Sequence, residues 1–159
     1  MITERDKYFM GRAIAVAQEG MNANIGGPFG AVVVKDDQII AEGCNRVTSS
    51  NDPTAHAEMV AIREACKKLE TFQLEDCTIY TSCEPCPMCL GAIYWARPKK
   101  VFYGCTKEDA AAIQFDDQFI YDELDKTIDN RHISFEGLMR NEAVEVFNEW
   151  SKKMDRTEY

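Results

Sequence analysis

The spacing of apolar residues changes along the chain, and each change predicts an element. Over residues 4–19, Phe9, Ala13, Val16 and Ala17 recur at helical spacing. Thr3 and Asp6 supply a capping pattern at the start, and Gly20 reads as a stop. Ala31-Val32-Val33-Val34 and Ile39-Ile40-Ala41 are apolar, mostly β-branched runs on either side of the polar Asp36-Asp37, so 30–44 is predicted as a hairpin. Residues 45–53 read as a polar loop. Asp52-Pro53 is then predicted to open a helix, with Ala57, Ala61, Ala65 and Leu69 on one face and Ile62 beside them. Cys77–Thr81 reads as a strand, Pro87–Trp95 as a short helix ended by Arg97-Pro98, and Lys100–Gly104 as a further strand.

Strand, helix and strand in that order predict a parallel pair, which needs a crossover. Residues 108–125 read as mostly helical and 132–138 as a fifth strand. In 142–152, Ala143, Val144, Phe147 and Trp150 fall at helical spacing. The expectation is an α/β chain of one domain, 1–159, with a mixed sheet between helical layers.

Composition narrows the functional classes. The 159 residues are 45% hydrophobic and 28% charged, the mix of a globular protein. No apolar run is long enough for a transmembrane helix, and residues 1–7 carry mixed charges without an apolar core, so neither a membrane partner nor a signal peptide is expected. The seven cysteines are an odd number, and without a secretion signal the expected compartment is the reducing cytoplasm. There the thiols are expected as core residues, metal ligands or catalytic groups. Cys44, Cys66, Cys77 and Cys105 are assigned to the core.

Net charge is −9, which argues against a nucleic-acid partner, since phosphate backbones are held by Lys and Arg. The deficit is uneven. Residues 1–106 hold 11 basic and 13 acidic side chains, whereas residues 107–159 hold 7 and 14.

Two segments carry chemistry: Thr54-Ala55-His56-Ala57-Glu58 and Ser82-Cys83-Glu84-Pro85-Cys86-Pro87-Met88-Cys89. Cys86 and Cys89 lie three apart around a helix start, so both thiols face one side. The helix N-terminus favours their thiolate forms. With His56 they make a His/Cys/Cys set that leaves the fourth tetrahedral position of Zn2+ open for water, the mark of a catalytic site. Glu58, two residues after His56, is placed to exchange protons with that water.

Cys83 and Cys86 also form a C-x-x-C pair. Pro85 favours the 86/89 register, which leaves Cys83 as a small residue packed at a strand end. A C-x-x-C thiol oxidoreductase and a purely structural zinc module are the competing classes, and the first leaves His56-Ala57-Glu58 unexplained. The Gly26-Gly27-Pro28-Phe29-Gly30 stretch lacks the spacing of a phosphate-binding loop. His-x-Glu followed by Pro-Cys-x-x-Cys is the signature of zinc-dependent base deaminases.

Over most of its length the chain resembles the small bacterial guanine deaminases of the cytidine-deaminase-like superfamily. The resemblance rests on residues 26–32, 50–58, 80–98 and 115–121, with Phe115-Asp116-Asp117 and the terminal Glu158-Tyr159 as its more specific features. Residues 127–149 carry it less well. It implies a three-layer α/β/α sandwich with a five-stranded mixed sheet, and hydrolysis of guanine to xanthine and ammonia. Cytosine and the wobble adenosine of tRNA are the alternative substrates.

By the same resemblance His56, Cys86 and Cys89 hold zinc, and Glu58 moves protons. Asn45 binds the base. Asp117 takes part in base binding and proton transfer. Phe29, Trp95 and Tyr159 close the pocket. A homodimer with exchanged C-terminal segments is implied as well, so that Tyr159 serves the partner's site. No chemistry is assigned to His132.

Overall fold

The computed structural model describes residues 2–159, and the chain divides into two units, one ending at Asp117 and the other Gln118–Tyr159. The first unit runs α1 (Glu4–Asn22), β1 (Gly30–Lys35), β2 (Gln38–Cys44), α2 (Val47–Ser50), α3 (Ala57–Leu69), β3 (Cys77–Cys83), α4 (Pro87–Ala96), β4 (Lys100–Cys105) and α5 (Lys107–Ala112). Its sheet has the order β2-β1-β3-β4. β1 pairs antiparallel with β2 and β3, and β3 pairs parallel with β4, as the strand–helix–strand order predicts.

The hairpin turns at Asp36 and Asp37, both with positive φ (47° and 61°), as a two-residue connection that follows the twist of the strands requires. A bulge between Val33 and Val34 shifts the register against β2.

Alternation along the strands sends side chains to two cores. On one face Val32, Val34 and Tyr80 pack with Phe9, Ala13 and Val16 of α1. On the other, Ala31, Val33 and Ile79 pack with Ala57, Ala61, Ile62 and Ala65 of α3 and with Ile93 and Ala96 of α4. The Thr3–Asp6 capping box is present, and Asp6 also accepts the hydroxyl of buried Tyr80 at 2.7 Å. These bonds hold the Asp6 carboxyl down to about 2.

Two glycines set the distance between helices and sheet. A Cβ on Gly30 would stand 2.3 Å from the Ala13 carbonyl of α1. One on Gly43 would stand 2.3 Å from the Ala57 carbonyl of α3.

The structure corrects several sequence expectations. The sheet has four strands, not five. Residues 132–138 form no ladder, and the His132 N–H bonds the Glu123 carboxylate at 2.6 Å instead of a neighbouring strand. α1 runs past Gly20 to Asn22.

α3 begins at Ala57, because Asp52 holds the Thr54 N–H (2.8 Å) and hydroxyl (2.7 Å) in a turn that uses up residues 52–55. Residues 107–125 are two helices, α5 and α6 (Gln118–Asp125), separated by a bend at Gln114 with φ 71°. Cys105 is exposed, since β4 is an edge strand and none of its residues is buried.

The second unit holds α6, a 3₁₀ turn at Ile128–Asn130 and α7 (Arg140–Lys152). None of its residues is buried, and Phe119, Val146 and Phe147 are all more than 60% exposed. No helix of the described residues is long and apolar enough to cross a membrane.

Gly30→Ala should over-pack the α1 face and lower unfolding free energy by about 1–3 kcal/mol, read as a lower urea midpoint. An unchanged midpoint would show that α1 is not seated on that glycine.

Candidate metal centre and substrate site

Two helices start beside one another, and their first residues supply the donors. His56 is the N-cap of α3 (φ −68°, ψ 158°), and Cys86 is the N-cap of α4 (φ −64°, ψ 167°). The extended backbone at each cap lets the side chain turn back across its helix end. Pro87 occupies the first helical position, where its missing N–H costs nothing, and Cys89 follows one turn on.

His56 Nδ1 lies 3.4 Å from Cys86 Sγ and 3.5 Å from Cys89 Sγ. A tetrahedral zinc with Zn–S near 2.3 Å and Zn–N near 2.05 Å separates N from S by about 3.5 Å. Both N–S distances match a shared zinc, and the three donor atoms lie within 4.8 Å of one another, the one such group among the described residues. Cys83 stands apart from it, buried, with Sγ 3.5 Å from the Thr106 carbonyl.

The electrostatics suit a metal. Cys89 donates to Cys86, which lowers the Cys86 thiol below its ordinary range and raises Cys89 in return. His56 is raised, chiefly by its bond to Cys86. Both helix N-termini reinforce the thiolate forms.

Glu58 is the second residue of α3 and only 6% exposed. Burial raises its carboxyl above the usual range, and the charge on Cys86 adds to this. Its Oε1 accepts the Thr81 hydroxyl at 3.0 Å.

Asn45, directly after β2, is also buried. Its Oδ1 accepts the N–H groups of Gly27 (3.2 Å) and Val47 (3.1 Å), which fixes the carboxamide and leaves its Nδ2 hydrogens out of those bonds. The Asn45 N–H bonds the Phe29 carbonyl at 3.0 Å, and the half-buried Phe29 ring meets Phe115 edge-on, with centroids 4.9 Å apart. Asp117 is half-buried, and its carboxyl is raised by burial first and by the nearby Cys86 charge second.

The structure thus brings together His56, Glu58, Cys86 and Cys89, with Asp117 in electrostatic range, and it ties Asn45 to Phe29. Trp95 is 64% exposed on α4, and Tyr159 is 71% exposed in the second unit. His132 is exposed.

Thr81 and Phe115 join the site without a role expected from sequence. Thr81 carries a signal: it is polar in the β3 register that otherwise presents Cys77 and Ile79 to the α3 side. Phe115 carries none, because its partner is far away in sequence.

Comparison with known proteins agrees with this geometry. The chain is 60% identical over 151 residues to the guanine deaminase of Bacillus subtilis (strain 168), covering 95% of this chain and 97% of that one. The X-ray structure of guanine deaminase from Bacillus subtilis superposes with a TM-score of 0.94 at 59% identity, over 96% of this chain and 98% of that one. A tRNA-specific adenosine deaminase of Aquifex aeolicus (strain VF5) is 37% identical, over 80% of this chain and 82% of its own. Residues 3–105 match the profile of the cytidine and deoxycytidylate deaminase zinc-binding region, a span that takes in every donor atom described above and well over half the chain. The fold around those donors is therefore shared by descent, and the chain belongs to the zinc-dependent cytidine and deoxycytidylate deaminase family.

Proposed function

We propose that this protein hydrolyses guanine to xanthine and ammonia, with His56, Cys86 and Cys89 as its zinc ligands. The observation that carries the reading is 60% identity to a guanine deaminase across nearly the whole chain, including the segment beyond residue 105 that the shared zinc region does not reach. The charge distribution supports a small free base. Residues 107–159 hold 14 acidic against 7 basic side chains, a poor surface for a tRNA backbone.

Zinc, when bound, lowers the pKa of water toward ~7 and so supplies a nucleophile at neutral pH. Glu58 takes the proton of the attacking water and passes it to the ring nitrogen beside the amino-bearing carbon. Its burial keeps bulk water away from that transfer. Asp117 carries the proton of the newly added hydroxyl to the exocyclic nitrogen, which leaves as ammonia. Guanine and water thus balance xanthine and ammonia. The fixed carboxamide of Asn45 donates from Nδ2 to an acceptor on the base, and Phe29 lies against the ring.

Residues 1–159 act as one deaminase domain completed by a second copy of the chain. The second unit has apolar helix faces and no core of its own, and exchange of C-terminal segments is a low-cost way to cover them. In that arrangement Tyr159 and Trp95 close the pocket. The seven free thiols suit a reducing, cytoplasmic setting.

Glu58→Gln should retain zinc and lose at least about 100-fold in kcat. The wild type, given guanine, adenine, cytosine and tRNA in parallel, should release ammonia from guanine. Ammonia from another substrate alone would overturn the assignment. Light scattering of the full chain should give twice the 18.0 kDa chain mass. A monomer that still turns over guanine would overturn the exchanged dimer.

A further inference from the structure

Glu58 must keep one oxygen turned toward the reacting water while the other is held, since a freely rotating carboxylate would present its proton at the wrong place. The hydroxyl of Thr81 donates to it in the structure, and the neighbouring thiol of Cys89 gives its proton to Cys86. A cysteine that ligates zinc is a thiolate and has no proton left to donate. Thr81 is then the side-chain donor that remains.

Its setting fits that task. Thr81 is 1% exposed, in a strand paired on both sides, opposite Ala31 of β1 and Tyr103 of β4. The backbone groups around it are engaged in the two ladders, so its hydroxyl turns to the carboxylate of α3. A rigid sheet thereby holds a side chain that is otherwise fixed only by its own helix. An apolar residue here would match Ile79 in the same register and leave Glu58 buried without this bond.

We infer that the Thr81 hydroxyl is a positioning residue for guanine deamination, locking Glu58 Oε1 so that the second oxygen serves the proton transfers. The inference rests on Glu58 being the proton carrier proposed above.

Thr81→Val, Thr81→Ser and Glu58→Gln test it together. Thr81→Val should keep its zinc and hold KM for guanine within about twofold, while kcat falls about 10- to 100-fold, as displacement of a catalytic group does. Thr81→Ser, which restores the hydroxyl, should recover most of that loss. If Thr81→Val folds poorly, Thr81→Ala gives the same comparison. A readout apart from activity is the melting temperature. Thr81→Val should lower it with Glu58 present and not in a Glu58→Ala background, where the hydroxyl has lost its partner. Wild-type kcat in Thr81→Val beside an inactive Glu58→Gln would overturn the role of Thr81 alone. Full activity in Glu58→Gln would overturn it together with the mechanism it rests on.

Discussion

A carboxylate taken out of water beside two thiols is costly unless a cation shares its surroundings. Glu58 is in that position, 6% exposed and close to Cys86 and Cys89. The His56–Cys86–Cys89 triangle makes the arrangement tenable, because a divalent ion there offsets the negative groups that gather around it. Much of the first unit serves to hold this triangle. β2 and β3 feed chain to the same side of the sheet, and α3 and α4 start there. Gly43 lets the first turn of α3 sit directly on β2. The metal site is thus built from helix starts and strand ends, whose backbone the sheet keeps still.

The second unit obeys a different constraint. Its helices carry apolar faces without a core, so their burial depends on something outside the unit. In the proposed dimer that burial and the completion of the substrate pocket become one event. The zinc region is matched over residues 3–105, and likeness to a tRNA-specific adenosine deaminase runs past it, over 80% of the chain.

Much of the site was legible in the sequence because its signals are local. A histidine followed two residues later by a glutamate at one helix start, and two cysteines three apart at another, fix face and reach within a single turn. Asn45 enters only through the family resemblance, and the structure buries it directly after β2. Contacts between distant segments were not legible. Nothing in the period of 108–125 shows that the chain bends at Gln114 and returns Phe115 to Phe29. Alternation over 132–138 resembled a strand, but a strand needs a partner, and the sheet closes its order at β4. Asp52-Pro53 has the pattern of a helix start, but the Asp52 carboxylate bonds Thr54 in a turn. A strand cysteine usually packs in a core, whereas the exposure of Cys105 follows only from the edge position of β4 in the strand order.

The proposed reaction requires a zinc with three protein donors and one open position. X-ray absorption at the zinc edge of the purified protein measures that directly. It should show two sulfurs at about 2.3 Å and two nitrogen or oxygen neighbours at about 2.0–2.1 Å, one of them from solvent. A shell of three or four sulfurs, which would enlist Cys83, or protein purified without zinc would contradict it.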